Sequence, residues 1–500
     1  LETLLGDILQ GFGVALTPTN LLLCLVGCVL GTLIGVLPGI GPTATVATLM
    51  PITFWLSPTG ALIMLAGVFY GSQYGGSTTA ILVNLPGESS SVVTCLDGYA
   101  MAQRGRAGAA LAIAALASLF AGTLTTFAIA LAGPSIAGIA LLFQSPDYVA
   151  VMVFGLVAAI VLAHGSLLKA VAMIVLGVFL GLIGTDVTTS EQRFTLGIPD
   201  LYDGIGFVPV AMGMFGLAEI MLNLEARAGG SAITKLRDRL WPSRADFRAA
   251  TPAATRGTLL GLFLGILPGG GSTIPSFAAY SLEKKIAQDP SRFGRGAVEG
   301  IAAPEAANNA GAQAGFIPML ALGIPPNAIM ALMIGAMMIH GIQPGPQIID
   351  KQPALFWGLV ASMWIGNLML VILNLPLIWI WVKLLEIPYR YLYPAIIIFC
   401  CIGVYSVKNS AMEVVFMAVF GVLGYVLRKL KCEPAPLLLG FILGPMLEEN
   451  FRRAMTVSAG DASVFVTRPI SLGFLIASAL LLLAVLLPAV RRGREQAISD

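Results

Sequence analysis

Apolar runs on the scale of a bilayer recur along this chain from one end to the other. They lie near residues 20–37, 60–83, 108–142, 148–163, 167–184 and 205–224, then 257–268, 313–339, 354–385, 394–407, 411–427 and 470–490. A helix rises ~1.5 Å per residue, so crossing the hydrocarbon takes about 20 apolar residues. Only 11% of the 500 residues are charged and 57% are hydrophobic. A soluble domain carries about 25% charged residues, so this chain cannot cover a water-facing surface of its own size, and lipid is its solvent. Backbone groups in lipid must be satisfied internally, and runs of this length do so as helices. The expected fold is an all-α polytopic membrane protein with about 10–14 spanning or re-entrant segments. The run 108–142 is long enough for a tilted span plus a re-entrant piece, whereas 257–268 is too short to span alone.

The placement of charge gives orientation. Arg227, Lys235, Arg237, Arg239, Arg244, Arg248 and Arg256 crowd one polar stretch, and Arg491, Arg492 and Arg494 follow the last apolar run. Short basic loops stay on the cytoplasmic side. The expected organisation is a first membrane repeat at 1–225, a basic cytoplasmic linker at 226–256, a second repeat at 257–490 and a cytoplasmic tail at 491–500, in a bacterial inner membrane. These arginines flank spans without interleaved aromatics, which disfavours nucleic acid as a partner.

The halves share a motif. Residues 27–43 read GCVLGTLIGVLPGIGPT and residues 257–273 read GTLLGLFLGILPGGGST. Gly27, Gly31, Gly35, Pro38, Gly39, Gly41 and Thr43 recur as Gly257, Gly261, Gly265, Pro268, Gly269, Gly271 and Thr273, each 230 residues later. A looser echo pairs Gly76–Pro86 with Gly315–Pro325. Duplication accounts for both. The three glycines at four-residue spacing lie on one helix face and suit close helix packing. The Pro-Gly-x-Gly that follows cannot continue a helix, because proline lacks the N–H donor and glycine is conformationally loose. A break inside a membrane frees backbone groups, which survive only against protein or a water-filled cavity. Such breaks at equivalent points of two repeats point to a transporter binding site: freed N–H groups suit a carboxylate and freed carbonyls a cation.

Each half also carries a polar run within apolar sequence: Tyr70–Thr79 ending in Asn84-Leu-Pro-Gly-Glu88, and Pro304–Gln313 ending in Gly323-Ile-Pro-Pro-Asn327. Hydroxyls and amides bind anions or Na⁺ with little fixed charge at depth, although they also join helices. The expected substrate-binding residues are Gly39, Gly41, Thr43, Ser77, Thr78, Gly269, Gly271, Ser272, Thr273, Asn308 and Asn309. A coupling cation, Na⁺ or H⁺, is expected near Pro38, Asn84, Pro268, Asn309 and Gln313, with no other cofactor. No lysine or arginine stands inside the duplicated motifs, so uncharged groups are expected to hold the ligands.

Other features read more plainly. Cys24 and Cys28 share a helix face but have no second ligand pair, so they are packing residues. His164 and His340 stand alone near the ends of apolar runs and read as packed or interfacial. Glu219 lies within FVPVAMGMFGLAEIMLNL and must find a partner, a proton or water. Enzyme signatures are lacking: Tyr202-Asp203 has no Gly-x-Gly-Asp partner, there is no HExxH or GxSxG, and no phosphate loop marks an ATPase. A passive anion channel or pore-forming subunit is the structural alternative, since re-entrant loops also build pores.

Several stretches together resemble the large membrane subunit of the tripartite tricarboxylate transporters. They are GTLIGVLPGIGPT (31–43), YGGSTTAILVNLPGE (74–88), GTDVTTSEQRFTLGIPDLYDGI (184–205), GILPGGGST (265–273), PEAANNAGAQAGFIPMLALGIPP (304–326) and GFILGPMLEENFRRAM (440–455). The resemblance implies a secondary active transporter that works with a small four-helix membrane subunit and a periplasmic solute-binding protein. It further implies symport of small di- or tricarboxylates such as citrate with a cation, usually Na⁺. The two motifs differ at one point: Ile40-Gly41-Pro42 in the first stands opposite Gly270-Gly271-Ser272 in the second, so the two loops are not chemically equal.

Overall fold

The computed structural model describes residues 2–37, 41–140, 142–162, 166–186, 189–225, 240–267, 271–345, 347–384 and 392–486. The fold is helical, as expected of an all-α membrane protein, and the strands among the described residues are one antiparallel pair, Gly184–Thr185 with Gln192–Arg193. The first half contains α1 (Glu2–Ala15), α2 (Pro18–Val36), α3 (Pro42–Thr53), α4 (Pro58–Val83), α5 (Ala107–Ala140), α6 (Ser145–Leu162) and α7 (Leu167–Gly181). It closes with α8 (Phe207–Ala211), which runs through a π-helical segment, Met212–Leu217, into α9 (Ala218–Glu225). The second half contains α10 (Arg244–Gly265), α11 (Thr273–Ile286), α12 (Glu299–Ala314), α13 (Phe316–Leu322), α14 (Ala328–Ile339) and α15 (Pro353–Asn374). It ends with α16 (Leu392–Lys408), α17 (Ala411–Lys429), α18 (Pro434–Val457) and α19 (Pro469–Leu486).

Local sequence explains many of these boundaries. Pro18, Pro42, Pro58, Pro353 and Pro434 open their helices at a position where the missing N–H costs nothing. Ser243 and Asp246 form a capping box that starts α10 at Arg244, so 244–256 of the basic stretch is already helix. That extension supplies the length the apolar run 257–268 lacks. Within the run 108–142, the residues up to Ala140 form one continuous helix, α5, rather than a span plus a separate re-entrant piece. Among the described residues, four helices, including α2 and α15, are long and apolar enough by themselves to cross a membrane. Helix α18 escaped the hydropathy pattern because its C-terminal half carries Glu448, Glu449, Arg452 and Arg453. His164 lies outside the described residues, while the His340 ring Nε2 sits 3.0 Å from the Thr53 carbonyl oxygen.

The glycine faces build close helix contacts. A Cβ added to Gly27, Gly31 or Gly35 of α2 would stand 2.2, 2.3 or 2.4 Å from the carbonyl oxygens of Met64, Val68 and Ser72 on α4. In the second half the same addition at Gly257, Gly261 and Gly265 of α10 would strike Ala303, Ala307 and Gly311 of α12 at 2.3, 2.5 and 2.5 Å. Residue numbers rise together along each pair, so the paired helices run parallel, and α3 or α11 returns between them. The partners on α4 and α12 are 239 residues apart throughout, which is the spacing of the looser sequence echo. A similar seam joins Gly177 and Gly181 of α7 to Leu437 and Phe441 of α18, so the two halves are interlocked.

The repeats are inverted. The end of α3 meets the end of α14 at the Thr53–His340 contact. On the opposite face, Arg106 at the start of α5 pairs with Asp246 in the first turn of α10 at 2.7 Å. On that same side Arg256 of α10 binds Glu283 of α11 at 2.6 Å. Helices α3 and α11 are equivalent, yet their ends lie on opposite faces. We call these the His340 face and the linker face.

Candidate functional site

The four chain interruptions converge on one cavity of about 590 Å³. Its walls include Gly41–Thr43 after the first broken helix and Gly271–Ile274 after the second. They also include Pro86–Ser89 after α4 and Pro326–Ile329 before α14. Pro38 and Gly39 of the first tip and Pro268 and Gly269 of the second lie outside the described residues. Gly271 adopts φ +50°, a conformation that costs glycine little.

Backbone geometry repeats across the cavity. Asn84 ends α4 in the left-handed conformation (φ 57°, ψ 31°), and its counterpart Gly323 ends α13 the same way (φ 69°, ψ 19°). Four residues later Glu88 and Asn327 are extended, with φ/ψ of −152°/167° and −153°/173°. Each caps the following turn: the Asn327 Oδ1 accepts from the Met330 N–H at 2.9 Å, and the Glu88 side chain accepts from the third residue of its own turn. Helices α3 and α11 start at the cavity with no side-chain cap. Their first-turn N–H groups, and the partial positive charge of those ends, remain available to an anion.

Charge enters from the linker side. Arg428 of α17 lines the cavity and is ion-paired with Glu219, which answers how that carboxylate is accommodated. Glu433 lines the same wall, and Phe69, Ala159, Ile329 and Leu439 supply apolar surface. An anion in the cavity would therefore meet a guanidinium as well as neutral donors. Charge at position 428 was not anticipated, because α17 carries no part of the duplicated motif.

The structure divides the remaining expected residues between two places. Thr43, Ser272 and Thr273 line the main cavity, and the Thr273 hydroxyl lies 2.8 Å from that of Ser89. Asn84 is exposed beside it. Ser77, Thr78, Asn308, Asn309 and Gln313 are buried behind it, where α4, α5 and α12 meet. Ser77 Oγ lies 2.6 Å from Glu305 Oε2, and Asn309 Nδ2 donates to Ser118 Oγ at 2.6 Å. Thr126 Oγ1 donates to Gln313 Oε1 at 2.8 Å. Gln73 and Asn308 lean toward the Glu88 carboxylate. Both amide ends of Asn308 lack a hydrogen-bond partner among the described residues. Glu88 and Glu305, which end or open the two polar runs, are the carboxylates of this region; their signal was a charge inside otherwise apolar sequence. No group of three His, Cys, Asp or Glu suited to a metal occurs among the described residues.

The model of the tripartite tricarboxylate transporter TctA family matches residues 21–439. The chain belongs to that family. As a TctA-family protein it is the large membrane subunit of a tripartite tricarboxylate transporter, a multi-pass transport protein that functions with partner subunits. A relative in Agrobacterium vitis, described as an uncharacterized 52.8 kDa protein in the TAR-I ttuC' 3' region, is 56% identical over 493 residues, covering 99% of this chain and 98% of its own length. A second protein of that organism, described as an uncharacterized protein in the TAR-II ttuC' 3' region, is 58% identical over 236 residues, 47% of this TctA-family chain and 98% of the relative. No solved structure matches.

Proposed function

We propose that this subunit carries small di- or tricarboxylates into the cell by cation-coupled symport, receiving them from a periplasmic binding protein and assembling with a small four-helix membrane subunit in the bacterial inner membrane. The observation that carries this reading is the convergence of both helix breaks on one cavity. Its volume falls within the ~300–1,000 Å³ usual for small-molecule sites. Uncapped helix starts, the Ser272, Thr273 and Thr43 hydroxyls and Arg428 together present donors to carboxylates. With the basic linker in the cytoplasm, the cavity wall formed by Glu219, Arg428 and Glu433 lies toward the cytoplasmic side. The Thr53–His340 contact joins helix ends on the opposite face.

The test is uptake by the three reconstituted components in sealed vesicles. Saturable accumulation against a substrate gradient that collapses with the cation gradient supports symport. Flux that only equilibrates the two sides would establish the passive channel instead. Impermeant thiol reagents applied from the periplasmic side should leave cysteines placed at 226–256 unlabelled; ready labelling would reverse the orientation.

A further inference from the structure

We propose that Glu305 is the proton-binding group of this transporter, exchanging one proton with water of the main cavity. This rests on the symport reading and deepens it by assigning the coupling cation to H⁺ and to one carboxyl.

Glu305 is 1% exposed at the junction of the two halves. Ser77 Oγ lies 2.6 Å from Oε2, and the Thr94 hydroxyl is bonded to Oε1. No cationic side chain pairs with it among the described residues. A carboxylate buried in this way is held at high free energy unless it gains a proton or a cation. The hydrogen bonding favours the proton. Ser77 Oγ is 2.9 Å from the Gln73 carbonyl as well as 2.6 Å from Glu305, and one hydroxyl hydrogen cannot serve two acceptors. With Glu305 protonated the conflict disappears: Oε2 donates to Ser77 Oγ, which donates to the Gln73 carbonyl.

The surroundings provide a place, close behind the wall of the main cavity. A void of about 10 Å³, the lower limit for one water molecule, is lined by Glu305, Ser77, Ser118, Tyr74 and Asn374. Tyr74 Oη and Asn374 Oδ1 are buried with no partner among the described residues. Toward the main cavity, Ser90 Oγ contacts Gln73 Oε1 at 3.1 Å and Glu88 Oε1 at 2.7 Å, and both Gln73 and Glu88 line that cavity. Ser77 is one helical turn beyond Gln73. The step itself is simple: a proton from cavity water adds to the Glu305 carboxylate, and the reverse step releases it. The titratable groups that face Glu305 are Tyr74 on α4 and Glu88 and Cys95 on the segment after it. Among the described residues, the polar side chains that α5 and α15 bring to the void are Ser118 and Asn374. Farther toward the linker face, Asp97 is held by the Gly296 and Ala297 N–H groups and Tyr280, and Glu299 by Arg292.

Infrared difference spectroscopy of the purified complex across a pH series tests the assignment without transport. A protonated-carboxyl C=O band that fades on alkalinisation is expected, and it should be missing from Glu305→Gln. The Ser77→Ala variant keeps the carboxyl and should shift the pH at which the band fades. Substrate affinity of the native complex should fall about tenfold per pH unit above that transition, as linkage to one proton requires, and should be flat in Glu305→Gln. An unchanged band in Glu305→Gln, an affinity profile identical to native, or a band displaced by sodium at constant pH would overturn the proposal. If the native complex moved no carboxylate at all, the transport reading would fail while the infrared titration still stood or fell by itself.

Discussion

The loop after α4 and the loop before α14 share a backbone and differ in chemistry. Glu88 and Asn327 have nearly the same φ and ψ, cap the next turn in the same manner and line the same cavity, but one is a carboxyl and the other an amide. The hydroxyls follow the same division. Thr273 reaches Ser89, whereas its counterpart Thr43 has Ala328 in the place of that serine, and no hydrogen bond engages the Thr43 hydroxyl among the described residues. Symmetry is thus kept where it shapes the chain and abandoned where it would duplicate charge. An anion carrier needs one place where a negative group can sit beside donors; two facing carboxylates would repel each other and the substrate.

The equivalence of the scaffolds can be broken most severely at the seams. Gly31→Val and Gly261→Val should each cost about 3 kcal/mol or more, because the inserted atoms meet main chain rather than a movable side chain. Thermal unfolding in detergent should show matched losses, and tolerance of one but not the other would show that the seams differ. Arg428→Ala should weaken carboxylate binding by about 1.5–3 kcal/mol, the range for hydrogen bonds to a charged partner. Equilibrium binding with Arg428→Lys as a control separates charge from fork geometry; native affinity in the alanine variant would remove Arg428 from the site.

The Glu88–Asn327 difference allows a sharper test. Asn327→Asp should cost substrate affinity about 1–2 kcal/mol, the repulsion of charges several ångströms apart at an effective dielectric near 20. Adding Glu88→Gln should recover most of that loss, because the double variant again carries a single carboxyl, now on the other repeat. A double variant as weak as the single would mean that the two positions are not interchangeable. The smallest effects belong to the threonines. Thr273→Ala should lower stability by about 0.5–1.5 kcal/mol through its lost bond to Ser89. Thr43→Ala should leave the melting temperature unchanged and act on substrate affinity alone, which paired melting and binding measurements would resolve.

How far the sequence was legible follows the same division. Membrane helices and the duplication are written in runs and spacings, so the paired seams and the two interruptions could be located in advance. Helix α18 could not, because the charged residues of its C-terminal half break the apolar run that hydropathy looks for. The inversion was also hidden, since it depends on which helix ends meet, as Thr53 and His340 do. In the site, motif residues such as Thr43 and Thr273 were visible by repetition. Arg428 was invisible because it arrives from a helix outside the motif, through an ion pair spanning 209 residues of chain. Ser77 and Asn309 were recognised as polar, but sequence cannot distinguish a wall of the cavity from the layer behind it.

The glycine seams also limit which mutational histories are open to this protein. When two side chains clash, a second substitution can trim the neighbour and restore the fit. Opposite Gly27, Gly31 and Gly35 the neighbour is a peptide carbonyl, which every amino acid carries. A Gly31→Ala lesion therefore has no allele-specific suppressor at Val68; revertants should be true reversions to glycine, or distant changes that displace a whole helix.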